Sequence, residues 1–303
     1  MTIDKQSVSD PWQFERVALP SGLRMRVAVA GRGPLLLLLH GFPECWYSWR
    51  HQLRAFAPFF TCVAPDLRGY GGSEAPRGVA NYRIEELVSD VAGLATRFGG
   101  QRILLAGHDW GGAIAWAFAL IHPELLERLI VLNCPHPIAF RRNLRGNWRQ
   151  WMRSWYIAFF QVPWLPERIL AAGGYRRLTA LMRRSAVNKA AFTEADLEQY
   201  RAAFGQPYAL TAALNYYRAL RRRDLASGSR RAAWLAHKIA APTLLIWGEQ
   251  DVALGKELTY GMNDLFTGPF AIRYLPDSGH WVQQERPEEV NRLMLEFLGH
   301  PPG

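Results

Sequence analysis

The sequence predicts an α/β architecture, a mostly parallel doubly wound sheet with an inserted all-helical lid, and three observations carry that expectation. Apolar runs of strand length alternate with helix-length segments through residues 34–132, the pattern of a parallel sheet with helices on its faces. Strand-like runs then vanish between residues 138 and 238 and resume at 242–247. Finally, Leu104-Leu105-Ala106 breaks at Gly107-His108-Asp109-Trp110-Gly111 and passes directly into the apolar run 112–120, a strand turning sharply into a helix with a carboxylate at its apex. The chain therefore divides into a core, 1–137, a helical cap, 138–238, and a second core segment, 239–303. With 303 residues and 49% hydrophobic content it can bury a large core.

Each element has a local reason. Residues 14–19 and 23–30 flank Pro20-Ser21-Gly22 and read as a hairpin, the second arm alternating Leu23, Met25, Val27 and Val29. The continuous run 34–39 suits a strand buried on both faces, and it ends in His40-Gly41-Phe42-Pro43-Glu44. A helix at 48–57 and a strand at 61–65 follow. The glycine-rich loop 66–73 lacks the Lys-Ser/Thr of a phosphate cradle and reads as a structural turn. A helix at 84–98 feeds the strand before Asp109, and 129–132 is the next strand. The insertion is broken at Pro163, Pro166, Gly173-Gly174, Gly205 and Pro207. A helical insertion between sheet strands reads as a lid over the carboxyl edge, where open α/β sheets bind ligands. Beyond it, strands at 242–247 and 270–275 lead to Asp251 and to Pro276-Asp277-Ser278-Gly279-His280, with a closing helix at 287–298.

Composition narrows the class. The polar residues 1–10 lack the apolar core of a signal peptide and no run has the length of a membrane span, so a cytoplasmic protein without a transmembrane segment is expected. Cys45, Cys62 and Cys134 are odd in number and lack metal-ligand spacing, which reads as reduced thiols and no metal site. The net charge of +10 is largely arginine between Arg141 and Arg231. Such a bias would favour acidic substrates or an anionic membrane surface; scattered among apolar residues and without a nucleic-acid motif, it reads as a solvated surface and no nucleic acid is expected. A homodimer is left open, because one sequence does not encode oligomeric state.

The chemistry centres on Asp109. A carboxylate is ionised at neutral pH and attacks without a base. Attack on a carbonyl would give a reactive anhydride, whereas attack on a saturated carbon gives an ordinary ester that water can cleave. The substrate should therefore present an electrophilic sp3 carbon. The bland alternative is an Asp that only caps the following helix. Among eight histidines, only His280 lies in a loop after a late strand and downstream of a loop-borne acid, which selects it as the base with Asp251 fixing its tautomer. Asp277 is the competing acid, too near His280 in sequence to meet its ring from a separate strand end.

Taken together, these segments resemble α/β-hydrolases of the epoxide hydrolase family over nearly the whole chain. The resemblance rests on His40-Gly41-Phe42-Pro43-Glu44, Gly107-His108-Asp109-Trp110-Gly111-Gly112, Gly248-Glu249-Gln250-Asp251 and Gly279-His280-Trp281, in the order nucleophile, acid, histidine. It implies an epoxide substrate and water as partners, no organic cofactor, and an oxyanion hole from the backbone amides of Phe42 and Trp110. It also implies two lid tyrosines that donate protons to the epoxide oxygen. Asn215-Tyr216-Tyr217-Arg218 is similar to one such motif and selects Tyr217, with Tyr216 the competing choice; Ser154-Trp155-Tyr156 resembles the other and selects Tyr156. Phe42, Trp110 and Trp155 are the expected substrate contacts, and Trp148, Trp151, Trp155, Trp164, Phe159 and Phe160 suggest an apolar pocket, with some of them packing the lid itself. A haloalkane or haloacid dehalogenase shares the Asp nucleophile. The haloalkane type pairs the following Trp with a second halide donor at a loop position that here is Phe42, and the fluoroacetate type wants an Arg after the nucleophile and a His-Trp pair in the lid, neither of which is seen. A non-catalytic ligand-binding protein on the same fold is the remaining alternative.

Overall fold

The computed structural model describes residues 10–226 and 229–300; the polar N-terminal stretch before Asp10 lies outside the described residues. The first half of the core runs β1 (Trp12–Ala18), β2 (Arg24–Ala30), β3 (Leu35–Leu39), α1 (Arg50–Phe56), β4 (Thr61–Pro65), α2 (Ile84–Arg97), β5 (Ile103–His108), α3 (Trp110–Ile121) and β6 (Leu126–Leu132). The insertion supplies α4 (Pro137–Leu144), α5 (Trp148–Arg153), α6 (Trp155–Phe159), α7 (Leu165–Ala171), α8 (Arg176–Ser185), α9 (Glu194–Phe204) and α10 (Ala209–Ala226). The core resumes with β7 (Thr243–Gly248), β8 (Phe270–Leu275), α11 (Val282–Glu285) and α12 (Pro287–Leu298).

Among the described residues, eight strands form one sheet in the order β1-β2-β4-β3-β5-β6-β7-β8. The β1–β2 hairpin is antiparallel and joins β4 antiparallel, while β4, β3, β5, β6, β7 and β8 are mutually parallel. This is the mostly parallel sheet that the strand-helix alternation implies, in the arrangement expected from the resemblance to α/β-hydrolases. Strands β3, β5 and β7 are buried along their whole length, which is why they read as uninterrupted apolar runs. Alternate side chains serve two cores: Leu37, Leu39, Leu105 and Val131 pack against α2 and α3, and Leu36, Leu38, Leu104 and Ile130 against α1 and α12. Each such leucine contributes about 1.5–3 kcal/mol by leaving water, so the sheet interior fixes the strand ends that carry the functional loops.

Differences from expectation are local. Strand β6 begins at Leu126, because Leu126 pairs with Ile103 of β5 although Glu127 and Arg128 interrupt the apolar run. Before α1 the chain forms a 3-10 turn, Trp46–Trp49, and the short α11 was not signalled by its polar sequence. The loop 66–73 is indeed built as a turn: the buried Asp66 carboxylate accepts hydrogen bonds from the Trp46 amide (3.2 Å), the Gly72 amide (2.8 Å) and Arg26 Nε (2.8 Å). No helix among the described residues is long and apolar enough to cross a membrane.

Candidate active site

Asp109 stands at the β5–α3 turn with φ 49° and ψ −116°, a backbone conformation that ordinary side chains rarely adopt. The turn is as tight as its glycines allow. A Cβ on Gly107 would collide with the Gly111 carbonyl, and one on Gly111 would collide with the carbonyl of Leu39 on the neighbouring strand. The strain lifts the carboxylate clear of the sheet edge and toward the loop after β3. There the Phe42 amide donates to Asp109 Oδ1 at 2.9 Å, and the Trp110 amide also donates to this carboxylate.

His280 and Asp251 arrive from the ends of β8 and β7. His280 Nδ1 lies 2.6 Å from Asp251 Oδ2, and its Nε2 is 3.6 Å from Asp109 Oδ2. Asp251 is itself fixed by Asn133 Nδ2 (2.8 Å) and by the amides of Ala253 (2.8 Å) and Leu254 (2.9 Å). Asp277 instead pairs with Arg286 on the surface at 2.9 Å, away from the His280 ring. Burial raises the Asp109 carboxyl above its ordinary range, opposed by the charges of His280 and His108 and by the two amides. Burial acts in the same sense on Asp251, but its contact with His280 and its hydrogen bonds hold that carboxyl below the ordinary value. For His280, burial favours the neutral ring, yet Asp251 and then Asp109 outweigh it and push the imidazole up to about 9.

The insertion closes over this carboxylate. Tyr156 on α6 and Tyr217 on α10 approach with ring centroids 5.9 Å apart, and Tyr217 lies against Trp110 (5.0 Å) and Phe42 (5.6 Å). Burial and then the Asp109 charge push both phenols well above their ordinary pKa, so both keep their protons. Two cavities meet here, each bounded by Asp109, Tyr156 and Tyr217. One, about 240 Å³, runs between Trp110, Phe140, Ile157 and Leu235; the other, about 300 Å³, passes Phe42, Phe160, Leu178 and His280. Tyr216 is turned the other way, donating from its buried hydroxyl to the Arg68 carbonyl at 2.8 Å. Among the described residues no cluster of His, Cys, Asp and Glu is arranged to hold a metal ion.

A family model described as alpha/beta hydrolase fold matches residues 34–287. The chain is 40% identical over 281 residues to AB hydrolase superfamily protein YfhM of Bacillus subtilis (strain 168), an alignment covering 92% of this chain and 95% of that one. It is 39% identical over 284 residues to Epoxide hydrolase 4 of Homo sapiens, covering 92% and 76% respectively. The chain belongs to the epoxide hydrolase family of the α/β-hydrolase superfamily. Among solved structures, an epoxide hydrolase of Bacillus megaterium in complex with an inhibitor matches with a TM-score of 0.85 at 31% identity, covering 94% of this chain and 100% of the other. Epoxide Hydrolase A from Mycobacterium thermoresistibile matches with a TM-score of 0.81 at 30% identity, covering 95% and 98%.

In this epoxide hydrolase family member the tryptophan expectation needs correction. Of Trp148, Trp151, Trp155 and Trp164, only Trp155 borders a site cavity, at its rim, and all four are exposed; Phe160 lines the larger cavity, Phe159 lines neither, and further apolar lining comes from residues such as Phe140, Ile157 and Leu235. Sequence reasoning also missed a buried network behind the turn. Both ring nitrogens of His108 face acceptors, Glu44 Oε2 at 2.7 Å and the His280 carbonyl at 2.8 Å. Glu44 also accepts from the Gly41 amide (2.9 Å), Gln283 (3.1 Å) and Gln284 (2.8 Å). With so many donors around it, Glu44 stays ionised: burial pushes its carboxyl up, but the His108 charge and these bonds leave it lowered. The network ties the His280 backbone to the loop that carries Phe42. His108 stands beside Asp109 in sequence, and its position between Gly107 and Asp109 was the one available signal.

Proposed function

We propose that this chain hydrolyses epoxides to vicinal diols through an ester on Asp109, with residues 138–238 acting as a cap over a core of residues 1–137 and 239–303. The observation that carries the reading is the Asp109 carboxylate itself, held by the Phe42 amide at 2.9 Å, 3.6 Å from His280 Nε2, where two cavities meet beneath the phenols of Tyr156 and Tyr217.

In the first step Asp109 attacks a ring carbon from the back, the C–O bond breaks, and its electron pair stays on the epoxide oxygen. An alkoxide is strongly basic, so that oxygen takes a proton from Tyr156 or Tyr217, whose phenols stay neutral. Alkylation removes the Asp109 charge, one of the two carboxylates that keep His280 protonated. The imidazolium then gives its proton back to the phenolate and becomes a neutral base. In the second step His280 takes a proton from water as the hydroxide adds to the ester carbonyl. The resulting oxyanion rests on the Phe42 and Trp110 amides, and Asp251 stabilises the imidazolium. Collapse expels the diol alkoxide, which takes the carboxyl proton of Asp109 and restores the starting charges.

The apolar cavity walls support aryl or alkyl epoxides as substrates, with Phe42, Trp110 and Trp155 as contacts. A variant of the Bacillus megaterium enzyme has been solved with its product (R)-3-[1]naphthyloxy-propane-1,2-diol, an aryl ether diol of that kind. The three buried free thiols of Cys45, Cys62 and Cys134 support a reducing compartment such as the cytoplasm. Replacement of His280 by Gln tests the division of labour: ring opening continues, hydrolysis stops, and intact-protein mass spectrometry finds the hydroxyalkyl ester accumulating. A folded, substrate-binding His280→Gln protein that stays unmodified contradicts it.

A further inference from the structure

Helix α5 is amphipathic the wrong way round, and its outward stripe runs on to Trp155 at the start of α6. Trp148, Trp151, Met152 and Trp155 recur at helical spacing along one stripe, and that stripe faces water, with exposures of 68%, 61%, 67% and 62%. The inward positions of α5 are polar, whereas α6 turns Tyr156 and Ile157 inward. Buried Gln150 accepts from the Gly255 amide (3.0 Å) and donates to the Ala253 carbonyl (2.8 Å) and to Ser154 Oγ (2.9 Å). The helix is thus anchored to the core through its polar face while three indoles and a thioether are held out in solvent. Exposed apolar stripes of this density mark interaction surfaces.

The charge along this stretch of chain points to what the stripe meets, although Glu257 is brought close to Arg153 from the segment after β7. No acidic residue occurs between Glu127 and Glu167, whereas Arg141, Arg142, Arg145, Arg149 and Arg153 all fall in that interval. Arg142 is matched by Asp264, but Arg145 and Arg149 make no ion pair with a described carboxylate, and Arg149 lies over the Trp148 ring at 5.8 Å. Outward tryptophans interleaved with unmatched arginines are the composition of helices that lie in the headgroup layer of an anionic bilayer. The stripe also continues to the mouth of the larger cavity, whose rim includes Arg153, Trp155 and the exposed Leu181 and Val252.

We propose that the outer face of α5 and α6 is a docking surface for anionic lipid bilayers, seating the cavity mouth at the membrane surface. On the epoxide hydrolase reading, apolar substrates dissolved in the bilayer then enter without crossing water; the docking itself does not depend on that reading. Flotation through a density gradient tests it, with vesicles of equimolar phosphatidylcholine and phosphatidylglycerol against vesicles of phosphatidylcholine alone. The wild type floats with the mixed vesicles at low salt and far less with phosphatidylcholine. Each basic charge removed weakens partitioning about fivefold, so the reversal Arg149→Glu cuts it by well over that factor. The double variant Trp148→Ser, Trp151→Ser stays at the bottom of the gradient. Both variants hydrolyse a water-soluble epoxide at the wild-type rate, or, should the enzymatic reading fail, melt at the wild-type temperature. The proposal is overturned if the wild type does not float with mixed vesicles or if the folded variants float as well as it does. It is equally overturned if the wild type is a dimer that the double tryptophan variant converts to monomer, because a second copy of the chain would then be covering the stripe.

Discussion

Asp109 and His280 reach the cavity from strand-end loops, with Asp251 buried behind His280, whereas Tyr156 and Tyr217 reach it from helices of the insertion, and the two groups are held differently. On the core side the backbone itself is pinned: Gly107 and Gly111 admit no side chain, Asp251 accepts three hydrogen bonds besides its contact with His280, and Glu44 and His108 lock the neighbouring loops. On the insertion side the phenol rings are held largely ring against ring, Tyr217 on Trp110 and Phe42, Tyr156 on Phe160, while Gln161 and Arg218 tie the two helices together through the carbonyls of Tyr217 (3.0 Å) and Phe160 (2.9 Å). The contrast suits the two proposed tasks. An attacking carboxylate and its base need sub-ångström placement, while proton donors must tolerate substrates of different shape.

The largest break in that comparison is Asp109→Ala. It removes the proposed nucleophile, so turnover is expected to fall by about 10⁴-fold or more, with no mass added to the protein by substrate. An ester-bearing Asp109→Ala protein, seen by intact mass spectrometry, means that the nucleophile is another residue.

The core half can be broken electrostatically as well. In the fold His280 titrates at about 9 against 6.5 for a free ring, raised by Asp251 and Asp109 despite burial. A raised folded value means that the native state binds the proton more tightly, so the stabilisation is fully present below 6.5 and is lost as pH rises through about 9. The shift corresponds to about 3 kcal/mol. Denaturant unfolding of wild type and His280→Gln should therefore differ most below 6.5 and converge above about 9; parallel curves across that window contradict the ion pairing.

The insertion half responds more mildly. Tyr217→Phe removes one of two proposed proton donors and slows ring opening by about 10²-fold in stopped-flow measurement, leaving hydrolysis of a preformed ester intact. Its neighbour gives the smallest effect. Tyr216→Phe loses only the hydrogen bond to the Arg68 carbonyl, costing about 1 kcal/mol of stability with turnover unchanged. Reversed results for the pair would exchange the roles of the two tyrosines.

The same contrast explains what the sequence disclosed. Positions in the core half are written locally: the glycines around Asp109 leave one backbone path, and a buried parallel strand ending in a loop acid is visible as an apolar run followed by Gly248-Glu249-Gln250-Asp251. The insertion is written less locally. Tyr216 and Tyr217 are both buried, and which of them faces Asp109 depends on the rotation of α10 over the core, so residue identity alone did not separate them and family resemblance had to. The exposed tryptophans misled for a related reason, since apolar spacing on a helix says which residues share a face and not which way that face points. Glu44 was unreadable as a partner of His108, Gln283 and Gln284, because those contacts span 64, 239 and 240 residues of chain. The sequence predicts β6 shorter than it is, because polar side chains at Glu127 and Arg128 hide a backbone ladder that does not need apolar residues.

The central claim is that the oxygen delivered to the epoxide carbon comes first from Asp109 and only later from water. A single turnover in ¹⁸O-labelled water, with enzyme in excess over epoxide, tests it most directly, followed by mass analysis of both the diol and the peptide containing Asp109. The covalent route predicts an unlabelled diol on the first turnover and label incorporated into the Asp109 carboxylate. Label in the diol with none in Asp109 would contradict it, because water would then have opened the ring directly.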